Sequence, residues 1–261
     1  MSAPFTPAHR GGSGPPLVLL HGFMDTWRTW ELVLPALERR HDVLALTLPG
    51  HAGGPPLDGD VADALERALD VAGFATAHVA GNSAGGFLAL ELAARGRARS
   101  VVAFAPAGGW APDDGSWREL VAYQRELMAQ AKVSAPHADA MLATPAGRRR
   151  ATQDLVVRSE HLPTDLLRHL LLGVAACRGG PELIERGLRD GFALDAESIA
   201  CPVRIVWGTE DRLLPWPSAA ARFRTEWLPH ADWVELDGVG HAPQLDVPVE
   251  AAELILGWTA R

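Results

Sequence analysis

Apolar residues in this chain gather in runs too short for a helix, at 17–20, 43–48, 78–80 and 101–105, and the stretches between them carry helical spacing. Uninterrupted apolar runs of that length suit strands buried on both faces, and parallel neighbours need a connection of about a dozen residues or more. The intervening stretches supply such connections. Trp27, Trp30, Leu34 and Leu37 recur at helical intervals, Val61, Leu65, Leu69 and Ala72 mark one face of a second helix that Gly73 ends, and 87–94 reads as a third. The pattern predicts an α/β fold with a mostly parallel, doubly wound sheet.

After Ala107 the pattern changes. Leu120, Leu127 and Met128 suggest one helix, Leu166, Leu167, Leu170 and Leu171 another, and Leu183, Ile184 and Leu188 a third, with no convincing strand among them. Strand signals resume at 202–207 and 233–236, and 248–258 reads as a closing helix. The expected organisation is a core of residues 1–112 and 199–261, with a helical cap of residues 113–198 inserted between two late strands of one sheet.

Composition narrows the function. Hydrophobic residues make up 48% of the 261, enough for a sizeable core, which argues against disorder. The 32 acidic residues against 24 Lys and Arg give a formal charge of −8, so the basic footprint needed for nucleic acid or an anionic membrane is missing. No apolar stretch approaches the ~20 residues that span a bilayer. Cys177 and Cys201 are too few for a disulfide framework or metal cage and read as free thiols. Residues 1–16 are rich in Gly and Pro and lack the apolar run of a signal peptide, so the expected location is cytoplasmic.

Gly81-Asn82-Ser83-Ala84-Gly85 fits G-x-S-x-G, with Gly86 following. A strand leads in and a helix leads out, the setting of a nucleophile elbow, where small neighbours relieve the crowding around a serine on a strained turn. Before it come His21-Gly22-Phe23 and Leu48-Pro49-Gly50-His51 after the first two strong strands, and after it Gly208-Thr209-Glu210-Asp211 behind the strand that resumes the sheet and Gly240-His241 near the end. With these five ordered motifs the sequence resembles the α/β-hydrolase fold family, in its capped serine-hydrolase branch, over nearly the whole chain. One departure is at the front, where sixteen residues before the first strong strand leave little room for the family's leading strands. One or both are expected to be very short or missing.

The resemblance implies roles for named residues. Serine needs a neighbouring base, and His241, in a Gly-rich loop after a strand, is the candidate. Asp211, also just past a strand, would hold the imidazole tautomer and stabilise the imidazolium. Asp237, Asp246 and Glu210 compete for that part. Asp237 reads as the end of a strand, and Asp246 as a cap of the last helix near Pro248. The oxyanion donors fall to the N–H groups of Phe23 and Ala84. Met24, Trp110 and Leu214 are pocket candidates, whereas Trp27 and Trp30 read as core. His21 and His51 read as structural, and a His21/His51/His241 metal set matches no ligand spacing. Arg148-Arg149-Arg150 reads as a solvated helix face, with binding of a substrate carboxylate as the alternative.

The expected activity is hydrolysis of a carboxylic ester or related acyl compound, with a small-molecule acyl substrate and no cofactor or metal. Dehalogenase and epoxide hydrolase branches carry Asp at the elbow, where this chain has Ser83. The carbon–carbon hydrolase branch usually places Trp after the catalytic His, where Ala242 and Pro243 stand here. Perhydrolysis and acyl transfer on the same three residues stay open, as does a non-catalytic small-ligand receptor.

Overall fold

The computed structural model describes residues 5–260. Its seven strands are β1 (Ala8–Gly12), β2 (Pro16–Leu20), β3 (Asp42–Leu46), β4 (Ala77–Asn82), β5 (Ala98–Phe104), β6 (Val203–Gly208) and β7 (Asp232–Leu236). They form one sheet in the order β1-β3-β2-β4-β5-β6-β7. Every pairing is parallel except β1 with β3, where Ala8 stands opposite Leu46 and Gly12 opposite Asp42. Among the described residues a single five-residue strand thus precedes Pro16–Leu20. Residues 1–4 of the leading segment lie outside the described residues.

The predicted strands recur within a few residues of their expected bounds, and burial explains why they are visible in the sequence. Leu17, Val18, Leu19 and Leu20 are all fully buried, because both faces of β2 are covered. Alternate residues enter opposite cores. Val18 and Leu20 join Leu65 and Leu69 of α2 (Val61–Ala72), while Leu17 and Leu19 join Trp30 and Leu37 on the other side. Each such side chain contributes roughly 1.5–3 kcal/mol, so a charge at Leu19 would disrupt the sheet at its centre. The α2 helix starts where Asp60 accepts the Asp63 N–H and stops at Gly73, whose φ of 81° needs no Cβ.

The helical periodicity at Trp27–Leu37 resolves into a 3-10 turn (Trp27–Trp30) and a single α turn, α1 (Leu34–Leu37), rather than one helix. Both Trp30 and Leu37 are nonetheless buried as expected. The elbow helix α3 (Ala84–Ala94) is apolar on all sides, as its position between the sheet and flanking helices demands.

Between β5 and β6 the described chain contains five α-helices and no strand: α4 (Ser116–Ser134), α5 (Ala138–Leu142), α6 (Pro145–Thr152), α7 (Thr164–Ala176) and α8 (Gly180–Asp190). Strands β5 and β6 are parallel hydrogen-bonded neighbours, with Val101 opposite Val203, so the chain leaves β5 at the carboxyl edge of the sheet and, after the helical insertion, crosses back to enter β6 at the amino edge. After β7 come α9 (Pro243–Asp246) and α10 (Pro248–Thr259), the latter packing Ala251, Ile255 and Trp258 on the sheet. Among the described residues no helix is long and apolar enough to cross a membrane.

The chain goes from β2 to β3 on one side of it, then to β4 on the other. Ligands in such sheets bind at the carboxyl ends of the strands where the order reverses. Gly22 follows β2 and Ser83 follows β4 directly, so this topology brings two of the sequence motifs to that crevice.

Candidate active site

Ser83 sits between β4 and α3 with φ 56° and ψ −120°, a conformation that costs a non-glycine residue ~1–3 kcal/mol. Its backbone is held on both sides. The Ser83 N–H donates to Phe104 O at 2.9 Å, and Ser83 O accepts from Phe87 N–H and Ala107 N–H, each at 3.1 Å. The flanking glycines are required by close approach. A Cβ on Gly81 would lie 2.1 Å from Gly85 O, and one on Gly85 would lie 2.3 Å from Leu20 O.

Across the crevice His241 and Asp211 meet although 30 residues separate them, with His241 Nδ1 at 2.7 Å from Asp211 Oδ2 and both residues buried. A carboxylate only accepts, so in the neutral ring Nδ1 carries the proton and Nε2 keeps its lone pair. The other carboxylate oxygen, Oδ1, accepts the N–H groups of Leu213 and Leu214 at 2.9 and 2.8 Å, which fixes the acid. His241 and Ser83 line the same cavity, of about 390 Å³.

The competing acids lie elsewhere. Asp237 is just past β7 and faces Thr209 Oγ1 at 3.4 Å. Asp246 does not cap the last helix. It is buried, and its carboxylate accepts three backbone N–H groups, from Val157, Arg158 and Gly240, at 2.8–2.9 Å. It thereby ties the loop bearing His241 to the helical insertion. The same junction is reinforced by Ala242 N–H donating to Leu155 O at 2.8 Å, and by His161 Nε2 donating to Leu245 O at 2.7 Å.

A second network, which the sequence reading missed, runs beneath the crevice. Asn82 Nδ2 donates to His241 O at 2.9 Å and to Phe104 O at 3.2 Å. Fully buried Gln244 donates through Nε2 to Asn82 Oδ1 at 3.0 Å and Thr29 Oγ1 at 3.2 Å. The residue before the elbow serine therefore holds the His241 backbone directly. The only prior signal was an amide at the variable position of G-x-S-x-G.

Gly22, Phe23, Met24 and Asp25 form a turn closed by Asp25 N–H donating to Gly22 O at 3.3 Å, with Met24 at φ 66°. A Cβ on Gly22 would come within 3.2 Å of Ser83 Cβ, so the turn lies against the serine. His21 secures it from below, its Nδ1 donating to Gly22 O at 2.7 Å and its Nε2 accepting Leu48 N–H at 2.9 Å. Burial holds the His21 ring well below the usual histidine range. Ala84 opens α3, so its N–H has no acceptor within the helix. Burial also pushes the Asp25 carboxyl up to about 7, although Thr26 N–H donates to its Oδ1 at 2.7 Å.

Trp110, Leu214, Phe23 and Ala84 line a second, apolar cavity of about 220 Å³, and Met24 lines the first. Trp110 is also 7% exposed and part of the sheet's core, so one side chain both packs in the core and lines this cavity. Ser83, Phe23 and Gln124 border both cavities. Of the arginine run, Arg149 and Arg150 are exposed as expected, while half-buried Arg148 also braces the insertion, donating to Thr164 Oγ1 at 2.7 Å and to the Leu162 carbonyl. Arg150 lines the larger cavity.

The fold, the elbow and their order along the chain are those of one family. The model of the alpha/beta hydrolase family matches residues 17–254, and the protein belongs to that family. It is 35% identical over 199 residues to "Epoxide hydrolase EphH" of Mycobacterium tuberculosis, covering 75% of this chain and 91% of that protein. It is 31% identical over 251 residues to the pimeloyl-[acyl-carrier protein] methyl ester esterase of Aromatoleum aromaticum, covering 92% and 96%. The crystal structure of the carboxylesterase CesB from Bacillus subtilis shares the fold, with a TM-score of 0.70 at 17% identity over 99% of this chain and 90% of that one. The relatives support a hydrolase and differ in substrate.

Proposed function

We propose that the protein is a serine hydrolase that cleaves a carboxylic ester or related small acyl compound through an acyl-enzyme. The observation that carries this reading is the pairing of His241 with Asp211 at 2.7 Å on the wall of the cavity that Ser83 also lines. Ser83 is the nucleophile, His241 the base and then the acid, and Asp211 the group that orients the ring and stabilises its cation. The N–H groups of Phe23 and Ala84 receive the oxyanion, each worth ~3 kcal/mol of transition-state stabilisation. Residues 113–198 act as a cap that closes the site and selects the substrate. Two free cysteines fit a reducing, cytoplasmic setting.

A hydroxyl rather than a carboxylate at position 83 favours acyl chemistry over the reaction named for the mycobacterial relative. The strained elbow supports an enzyme over a binding protein, since a receptor has no need of an exposed, activated serine. The test is an intact-mass measurement after exposure to a fluorophosphonate, followed by peptide mapping. One adduct on Ser83, and loss of chromogenic ester turnover in Ser83→Ala, are expected. Stoichiometric ligand binding with neither adduct nor turnover would sink the reading.

A further inference from the structure

Ser83 stands where two cavities meet, and only one of them reaches His241. The larger is bounded by His241 and Asn82 from the core and by Tyr123, Gln130 and Thr152 from the insertion. The smaller touches Ala84 and runs between Phe87, Trp110, Trp117 and Phe192. Apart from Ser83, the polar side chains on its wall are His51 and Gln124. His51 Nδ1 donates to Pro49 O at 3.1 Å, and burial pushes the ring down to about 4, so it brings no charge at neutral pH.

Acyl transfer imposes a direction on this arrangement. The Ser83 Oγ bonds to the carbonyl carbon as its proton passes to His241 Nε2. The bond from that carbon to the leaving oxygen or sulfur then breaks, its electron pair stays on the leaving atom, and His241 returns the proton there. The leaving atom must therefore lie against His241, while the carbonyl oxygen faces the backbone donors and the acyl chain takes the remaining side. Water repeats the sequence and releases the carboxylic acid.

We propose that the acyl chain occupies the smaller, apolar cavity and the leaving alcohol or thiol occupies the larger one, whose wall mixes leucines with the polar side chains named above. The assignment rests on the reading of Ser83 as nucleophile, and it names a substrate class: esters or thioesters of an uncharged medium-chain or aromatic acid with a polar leaving group. At ~30 Å³ per water-sized group, 220 Å³ takes about seven such groups. A carboxylate at the far end of the acyl chain would be buried with no charge to meet it. The larger cavity carries Asp154, which accepts from Tyr123 Oη, and Arg150, so polar and charged leaving groups find partners there.

Two ester series separate the cavities. With a fixed 4-nitrophenol leaving group, kcat/KM should rise about fourfold per added methylene up to an acyl chain of about seven carbons and then fall. A terminal carboxylate on that chain should cost more than ~100-fold. With a fixed butyryl group, charged or hydroxylated alcohols should differ less than about tenfold from apolar ones of equal length. Gly187 lines the smaller cavity, and a Cβ there would meet nothing within 4 Å. Gly187→Leu should therefore move the acyl optimum to shorter chains and leave the ranking of alcohols in place. A flat or charge-tolerant acyl profile, or a Gly187→Leu effect on the alcohol series alone, overturns the assignment. Fluorophosphonate labelling of Ser83 in the same samples keeps the two readings apart: a labelled Ser83 with the wrong profile defeats this assignment, and an unlabelled one defeats the nucleophile itself.

Discussion

Asp246 Oδ2 accepts the backbone N–H of Gly240 at 2.8 Å, immediately before His241, and the same oxygen accepts Val157 N–H of the helical insertion at 2.9 Å. The position of His241 is thus set jointly by the core and by a segment nearly ninety residues earlier. Asp246→Ala removes the two oxygens that accept three backbone N–H groups, one buried and two part-buried, each such loss costing up to ~1–3 kcal/mol before relaxation. A loss of about 3 kcal/mol in urea denaturation and a fall in kcat of more than ~10-fold with KM within a factor of about three are expected. Unchanged stability would show that the three N–H groups find water instead.

Asp211→Asn tests the proposed role of His241 more directly. Asn keeps an oxygen for the Leu213 and Leu214 N–H groups, so the loop should fold as before. The amide now faces His241 Nδ1 with hydrogens, which reverses the tautomer and turns the ring's lone pair away from Ser83. Loss of kcat by ~10⁴ at neutral pH is expected, with the melting temperature little changed. Turnover within tenfold of the parent would transfer the role to another acid.

Asp25 gives a pH dependence whose sign can be worked out. Its carboxyl lies at about 7 in the fold against 3.8 as a free side chain, raised first by burial. The folded protein therefore binds a proton that the unfolded chain has released, so this group's contribution to stability is present in acid and lost as pH rises from about 4 through 7. Asp25→Asn can still accept from Thr26 N–H and has nothing to ionise. It should melt at the same temperature as the parent near pH 4 and at a higher one at pH 8. Equal melting temperatures at both pH values would contradict the burial of the charge.

Two glycine-to-alanine changes should act in opposite directions. The Gly81→Ala methyl would sit 2.1 Å from Gly85 O, where neither strand nor helix can yield, and the protein should be insoluble or lose several kcal/mol. Gly187→Ala lies inside α8 with open space around the new methyl and should gain ~0.5–1 kcal/mol from helix propensity. Chemical denaturation of the soluble variants measures both.

Sequence reading reached most of the sheet because side chains buried on both faces of β2, β4 and β5 must be apolar, and it reached the elbow because crowding forces small residues there. It did not reach β1. The Ala8–Gly12 segment has no apolar run, and its pairing with β3 is made by backbone groups that leave no trace in residue type. The short helix α5 was equally silent, and α6 showed only as the arginine face at 148–150, its single buried residue being Thr152. Asp246 was misread because a local role as a cap is visible in sequence, while its actual donors at 157 and 158 come close only through the fold. The Asn82–Gln244 contact spans 162 residues and has no local signature at all.

The adjacency of β5 and β6 has a bearing on protein engineering. Because β5 and β6 are adjacent parallel strands, residues 105–202 form one crossover between them, whose helices another helical segment could replace while both strands keep their register. The replacement would not be free, however. Asp246 needs two amide donors from whatever crosses above it, and a chimaera lacking them would keep its fold while leaving the histidine unmoored. Exchanging the insertion in this scaffold therefore means transplanting the 155–158 backbone together with its helices.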